Sequence, residues 1–172
     1  VTDSLGRAAR YSYGAQSDYL SEVVAADGRR LTFAHDEEGR LLAVRHFAPA
    51  AEAPYREITY AYDSISEAPE LRDNITRIWG TGGTPDVEMR HGIEPGGEDY
   101  DRVTWQRNGR SHETFAYARQ GSGDSLRFET RVEAEGRATE RHLFRLDGQL
   151  ASLTYEVADG HAIAVSRDYD AN

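Results

Sequence analysis

The amino-acid sequence predicts an all-β chain: consecutive antiparallel β-hairpins of roughly ten to fourteen strands, forming a curved, twisted sheet whose apolar face packs inward. Three observations carry that expectation. Runs of alternating apolar and polar residues recur along the chain, and corners containing Gly separate them. The corners also return at near-constant intervals. Gly28 and Gly39 are 11 residues apart and Gly6 and Gly28 are 22, while Gly136, Gly148 and Gly160 follow one another at steps of 12.

The clearest stretch is Tyr19 to Phe47, YLSEVVAADGRRLTFAHDEEGRLLAVRHF. Its corners, Asp27-Gly28-Arg29 and Glu38-Gly39-Arg40, each set an acidic residue before Gly and Arg. Gly reaches positive φ without a Cβ clash, and Asp bonds nearby backbone, so both suit tight hairpins. In the middle strand Leu31, Phe33 and His35 fall on one face, with Arg30, Thr32 and Ala34 on the other. In the next strand strict alternation groups Leu42, Val44 and His46 against Leu41, Ala43 and Arg45. Before this stretch, Val1 to Gly14 reads as a turn at 3–7 and a strand carrying Tyr11 and Tyr13.

Ala48 to Pro54 is an Ala/Pro connector that cannot continue a central strand, because Pro lacks the N–H donor. Tyr55 to Asp63 resumes alternation, with Ile58, Tyr60 and Tyr62 opposing Glu57, Thr59 and Ala61. A helical turn near Ser66 to Leu71 is followed by a strand over Arg72 to Trp79, with Ile75 and Ile78 toward different faces. Thr81 to Asp101, holding Gly82-Gly83, Pro85, Pro95 and Gly96-Gly97, reads as a long surface loop or elaborated hairpin with a short strand at Val87 to Arg90. Its irregularity fits either a functional loop or a degenerate repeat.

Regularity returns with a hairpin of Arg102 to Gln106 and Ser111 to Ala118 turning at Asn108-Gly109-Arg110, with the Asn-Gly turn signal. Leu126, Phe128, Thr130 and Val132 then lead to Glu135-Gly136-Arg137, and Phe144 and Leu146 to Asp147-Gly148. Leu153, Tyr155 and Val157 lead to Asp159-Gly160, and Ile163, Val165 and Tyr169 close the chain. The whole is expected to be one region, with regular repeats over 1–47, an irregular insert over 48–101 and regular repeats over 102–172.

The 172 residues suit one domain. Net charge is −10, from 30 acidic and 20 basic residues, and every basic residue is Arg. That balance argues against a general nucleic-acid binder, which needs cationic surface to release counterions. With no Cys there is no disulfide framework or thiolate metal site. No apolar run approaches the ~20 residues of a membrane helix. The absence of an initial Met or signal peptide, and the ending Tyr169-Asp170-Ala171-Asn172, read as a piece cut from a longer polypeptide.

Gly39-Arg40-Leu41 followed by Val44, Tyr60-Ala61-Tyr62-Asp63 and Tyr169-Asp170 give the chain a resemblance to the Rhs or YD-repeat proteins. Their degenerate repeat joins a Tyr-Asp strand end to a Gly-Arg-Leu turn and strand. The likeness covers Val1 to Phe47 and Ser125 to Asn172 and is weak between. It implies a segment of a hollow β-shell, as in bacterial polymorphic toxins, insecticidal toxin complexes and teneurins, with a structural rather than catalytic role and a secreted or bacterial cell-surface location. The partners it implies are further repeats of the same polypeptide, or another copy, through exposed sheet edges, and an enclosed toxin domain. The chain departs from the pattern in lacking a toxin domain and the Asp-Pro-rich self-cleavage segment.

Each residue type that could carry chemistry here also has a structural use. His35, His46, His91, His112, His142 and His161 show no H-x-H, H-x-x-x-H or H-E-x-x-H spacing. Glu94, Glu98, Asp99 and Asp101 crowd Gly96-Gly97 without the alternation of a calcium loop. Tyr11, Tyr13, Tyr60, Tyr62, Trp79, Tyr100, Trp105, Phe115, Tyr117 and Tyr155 could form a sugar platform, but cross-strand packing also places aromatics on sheets. Arg7, Arg29, Arg40, Arg110 and Arg137 follow corner glycines and are expected to pair with carboxylates or cap turn carbonyls. No nucleophile elbow or phosphate loop is present. The sequence therefore assigns no catalytic, cofactor or metal site. The alternatives are a carbohydrate- or protein-binding β module, and a metal-assisted hydrolase using His91 or His112 with the acidic loop.

Overall fold

A computed structural model describes the chain apart from residues 3, 5, 16, 17, 65, 158–160 and 167–172. The expected corner at Gly160 and the Tyr169-Asp170 pair lie outside the described residues. Thirteen strands form antiparallel meanders, and the described residues contain no α-helix, so the all-β expectation holds. The chain divides into two compact units at Val87/Glu88.

In the first unit β1 (Arg10–Tyr13), β2 (Leu20–Val24), β3 (Arg30–His35), β4 (Leu41–Phe47), β5 (Arg56–Tyr62) and β6 (Ile75–Trp79) pair in chain order. β7 (Val87–His91) begins on the last residue of the first unit, and the second unit holds the rest of it with β8 (Val103–Asn108), β9 (Ser111–Gln120), β10 (Arg127–Ala134), β11 (Thr139–Phe144), β12 (Leu150–Glu156) and β13 (Ala162–Ser166). Its strands also pair in chain order.

One closure recurs at the corners: it joins Ala25 to Arg29 between β2 and β3 at 2.8 Å and Val157 to His161 between β12 and β13 at 3.0 Å, and it recurs where an odd-numbered strand turns into an even-numbered one. The residue after the odd strand donates its N–H to the carbonyl of the residue before the even strand. Asp36 donates to Arg40 at 3.0 Å and Arg145 to Gln149 at 2.8 Å, closing five-residue loops. Gly14 to Tyr19, Gly92 to Arg102 and Asp63 to Asn74 close longer loops in the same way, at 3.0, 2.9 and 2.9 Å. Loop-closure entropy grows by only about 0.6 kcal/mol per doubling of length, so insertions here cost little. The irregular stretches 64–73 and 93–101 are such insertions. The first holds the expected helical turn as a 3₁₀ segment, Pro69–Asp73, which buries Leu71.

A one-residue β-bulge follows four of these closures. Ser21, Leu42, Thr76 and Ala151, each the second residue of its strand, are the extra residues opposite an otherwise regular partner. Where the bulged residue has a hydroxyl, it donates to the carbonyl it faces: Ser21 Oγ to Ser12 at 3.0 Å and Thr76 Oγ1 to Ala61 at 3.3 Å.

Because side chains alternate with period two, each bulge turns the first residue of its strand to the face opposite the one simple alternation gives it. This corrects two expectations. Leu41, not Leu42, pairs with His35 and shares the face of Val44, leaving Leu42 39% exposed. Ile75 and Ile78 pair with Tyr62 and Tyr60, so they share one face instead of lying on two. The β8–β9 hairpin turns within the expected corner Asn108-Gly109-Arg110. Asn108 pairs with Ser111, so Gly109 and Arg110 form the corner and Asn108 ends the strand.

The register sorts the first unit into an apolar face and a polar one. Tyr11, Val23, Leu31, Phe33, Val44, Ile58, Tyr60 and Ile78 share the apolar side. Glu22 with Arg30 at 3.5 Å and Arg45 with Glu57 at 2.6 Å lie on the other. In the second unit Phe115, Phe128, Val132, Phe144, Leu153 and Tyr155 share a face. Arg141 bridges Glu129 at 2.7 Å and Glu156 at 3.2 Å on the opposite one. Exposed pairs such as Arg45–Glu57 contribute about 0–1 kcal/mol each, so they set register more than stability. The buried apolar side chains among the described residues are Ala43, Phe47 and Leu71; Ala43 and Phe47 lie on the face of Arg30 and Arg45, and the side chains of the apolar faces are half-buried or exposed.

Gly39 is required twice. Its φ is +88°, and a Cβ there would run into the Tyr19 ring, which stacks on His35 at 5.3 Å. Gly148 has φ +80° with open space around it. Gly148→Ala should therefore cost only left-handed backbone strain, about 1 kcal/mol. Gly39→Ala should cost about 1 kcal/mol more, through the displaced aromatic stack. Urea unfolding checks this, and in a Tyr19→Ala background the two glycine substitutions should cost the same.

Candidate functional site

At three of the five corners the residue that accepts the closing hydrogen bond also reaches across to the next odd strand. Arg40 lies over the Tyr62 ring at 5.4 Å, and Arg102 over the Tyr117 ring at 5.0 Å. Both tyrosine hydroxyls donate to the carbonyl of the residue after that arginine, Tyr62 to Leu41 at 2.9 Å and Tyr117 to Val103 at 2.7 Å. Burial pushes both phenols above the ordinary tyrosine range, so they stay protonated donors. Tyr19 occupies the corresponding place over His35. The clip thus combines a cation–π contact with a directed hydrogen bond between neighbouring strands.

Arg40 also binds the turn that carries it. Its Nε donates to Asp36 at 2.7 Å, its backbone N–H to the same carboxylate at 2.8 Å, and Nη2 to Glu38 at 3.1 Å. Partial burial alone would raise the Asp36 carboxyl, but the side-chain and backbone bonds from Arg40 outweigh it and hold the group below its usual value. Arg29 on Asp27, and Arg137 on Glu113 and Glu140, meet the expectation that arginines after corner glycines pair with carboxylates. Arg110 lines a groove beside His112.

The histidines are distributed, not gathered. His35 stacks on Tyr19, His46 meets Tyr55 edge-on at 6.1 Å, His112 stacks on Trp105 at 6.4 Å and His142 on Phe144 at 6.4 Å. His142 Nε2 lies 3.1 Å from Glu140. His91 ends β7, and the carbonyl of His161 accepts the Val157 N–H at 3.0 Å. Among the described residues no three of His, Cys, Asp and Glu converge as metal ligands would. The acidic loop folds on itself, with Gly97 donating to the Glu94 carbonyl, Arg102 to the Asp99 carbonyl and Asp101 to the Gly92 carbonyl. Glu98 pairs with Arg119 at 3.0 Å.

The ten aromatic candidates separate by exposure. Tyr11 and Tyr13 are exposed at 49% and 61%, while the other eight are half-buried between strands or in loops. Arg90 lies over the Trp105 ring at 4.8 Å, and His112 stacks with it at 6.4 Å. The largest grooves are shallow. One of about 520 Å³ is lined by Val1, Arg7, Ala25, Asp27 and Arg29, and another of about 430 Å³ by His112, Thr114, Glu133, Glu135 and Thr139. No helix of the described residues is long and apolar enough to cross a membrane.

The Arg–Tyr clip escaped the sequence reading, although its parts, Gly39-Arg40-Leu41 and Tyr62-Asp63, were in view. Its signal is the pairing of an Arg before one strand with a Tyr in the next. No protein-family model matches the chain, and no curated protein matches its sequence.

Tyr62→Phe should lower stability by about 1 kcal/mol in denaturant unfolding, the net worth of one neutral hydrogen bond. Asp36, with its folded pKa lowered, contributes stability present above the unfolded carboxylate range and lost as pH falls through the folded value. Asp36→Asn should therefore lower Tm at neutral pH and remove this group's share of the decline between neutral pH and strong acid. Thermal melts across that range check both effects.

Proposed function

We propose that this chain is a non-enzymatic structural segment of a secreted or surface-exposed bacterial Rhs/YD-type repeat protein. It is a strip of curved wall or interaction scaffold, joined to further repeats, that encloses or presents a toxin domain. The observation that carries the reading is the recurrence of one closure, Asp36 to Arg40, Arg145 to Gln149 and their longer counterparts, through loops of unequal length. Repeats of this kind each bury too little alone and gain stability from neighbours. The sorted faces, the folded-in acidic loop and the separated histidines all favour a wall over a reaction centre. The Gly-Arg-Leu and Tyr-Asp residues that prompted the family resemblance are those that build the clip at Arg40, Leu41 and Tyr62.

A repeat wall tolerates removal of a whole unit, because each strand pair meets only its neighbours. Ala25 and His46 stand at equal distance from the bulges at Ser21 and Leu42, so deleting residues 26–46 joins equivalent positions. The shortened protein should keep β-sheet circular dichroism and a cooperative melt, without stoichiometric metal by elemental analysis. Loss of folded structure, or one bound zinc or calcium per chain in the intact protein, would overturn the reading.

A further inference from the structure

One glycine corner differs in kind from its counterparts. Asp27, Glu38, Glu135 and Asp147 precede Gly28, Gly39, Gly136 and Gly148, whereas Asn108 precedes Gly109. Asp27 and Asp147 are both occupied by the turns they begin. Asp27 accepts the Arg29 backbone N–H at 3.1 Å and Arg29 Nε at 2.6 Å, and Asp147 accepts the Gln149 N–H at 3.1 Å. At the corner between β8 and β9 the amide is unoccupied. Among the described residues no hydrogen bond reaches the Asn108 side chain or the Gly109 N–H, and Arg110 pairs with no carboxylate. Residues 108–112 are all exposed. Gly109 has φ +60° while Arg110 stays out of the positive range, the pattern of a two-residue II′ turn.

Asn is a thermolabile side chain, because the next backbone nitrogen can attack its amide within one residue's reach. Gly in the following position removes the Cβ that would obstruct this approach, and the space around Gly109 is empty to 4 Å. We propose that Asn108 is a site of spontaneous covalent modification, at which water converts the amide to a carboxylate by way of a cyclic imide. The Gly109 nitrogen gives up its proton to hydroxide and attacks Asn108 Cγ. A C–N bond forms, the bond from Cγ to the side-chain nitrogen breaks, and that nitrogen takes a proton from water and leaves as ammonia. Water then opens the ring. Cleavage between Cγ and the Gly109 nitrogen gives Asp, and cleavage between the Asn108 carbonyl carbon and the same nitrogen gives isoaspartate. The balance is one water consumed and one ammonia released. The Asp product stands two residues before Arg110, the spacing at which Asp27 binds Arg29. Isoaspartate instead adds a methylene to the backbone at the Asn108–Ser111 pair and loosens the end of the β8–β9 ladder. Asn74 is protected by contrast. A β-branched Ile75 follows it, its N–H donates to the Leu71 carbonyl at 3.1 Å, and its own carbonyl accepts the Asp63 N–H at 2.9 Å. The inference stands apart from the wall reading, which concerns how the repeats are built.

The full chain, held at mildly alkaline pH and followed by intact mass and peptide mapping, should gain the mass of an amide-to-acid change at Asn108. Two products of equal mass should separate on reversed-phase chromatography, with ammonia released in step, while Asn74 stays intact. An exposed hairpin tip opens at little cost, so the folded chain should convert within about tenfold of the rate in guanidinium chloride. Asn108→Gln would have to close a larger ring and should slow the conversion by more than about tenfold. A folded chain that keeps Asn108 intact through the period in which the denatured chain converts would overturn the assignment. A mass gain that persists at full rate in Asn108→Gln, or conversion of Asn74 at the same rate as Asn108, would do so too. Such a result would leave the deletion test of the repeat wall untouched.

Discussion

The constraint on which the rest depends is the backbone closure between the end of an odd strand and the start of an even one, followed by a single bulged residue. Closure fixes where the second strand begins, and the bulge fixes which way its first side chain points. Together they place Leu41, Ile75 and Leu150 opposite His35, Tyr62 and Phe144. A register slip of one residue would send every following side chain to the wrong face, so the sorting into apolar and polar faces rests on this corner.

The energetic consequence is a protein with little conventional core. Apolar side chains such as Phe33, Val44 and Ile58 are shielded mainly by their neighbours within the sheet. Cross-strand pairs, each contributing about 0.2–1 kcal/mol, therefore carry a large share of stability. The Arg40–Tyr62 and Arg102–Tyr117 clips add directional contacts between neighbouring strands. The guanidinium covers an aromatic ring, the phenol satisfies a neighbouring carbonyl, and Asp36 holds Arg40 in position. Substituting Lys for Arg at position 40 would keep the charge but lose the flat group that both covers the ring and bonds the carboxylate.

The strand count and hairpin character were legible because period-two alternation and corner glycines act locally. Gly39 and Gly148 demand positive φ, and Leu31, Phe33 and His35 declare one face without reference to distant residues. Bulges were not legible, because Leu42 and Ala151 look like ordinary alternating positions, and only the partner strand shows that a residue is extra. Ser21 and Thr76 did carry a faint sign in their hydroxyls, which bond the carbonyl opposite. The long stretches 64–73 and 93–101 read as interruptions because spacing, not closure, was the visible signal. The backbone bonds Asp63 to Asn74 and Gly92 to Arg102 make them insertions into the same turn. Separate histidines and carboxylates could be found by type, but their distances from one another are set by pairing.

The most direct measurement is a nuclear Overhauser spectrum of the chain with methyl-labelled leucine, read at the corner before β4. Bulge-controlled register predicts contacts between the Leu41 methyls and the His35 ring, with none from the methyls of Leu42. Contacts from Leu42 to His35 and Val44, as unbroken alternation requires, would contradict the closure-and-bulge basis of the whole arrangement.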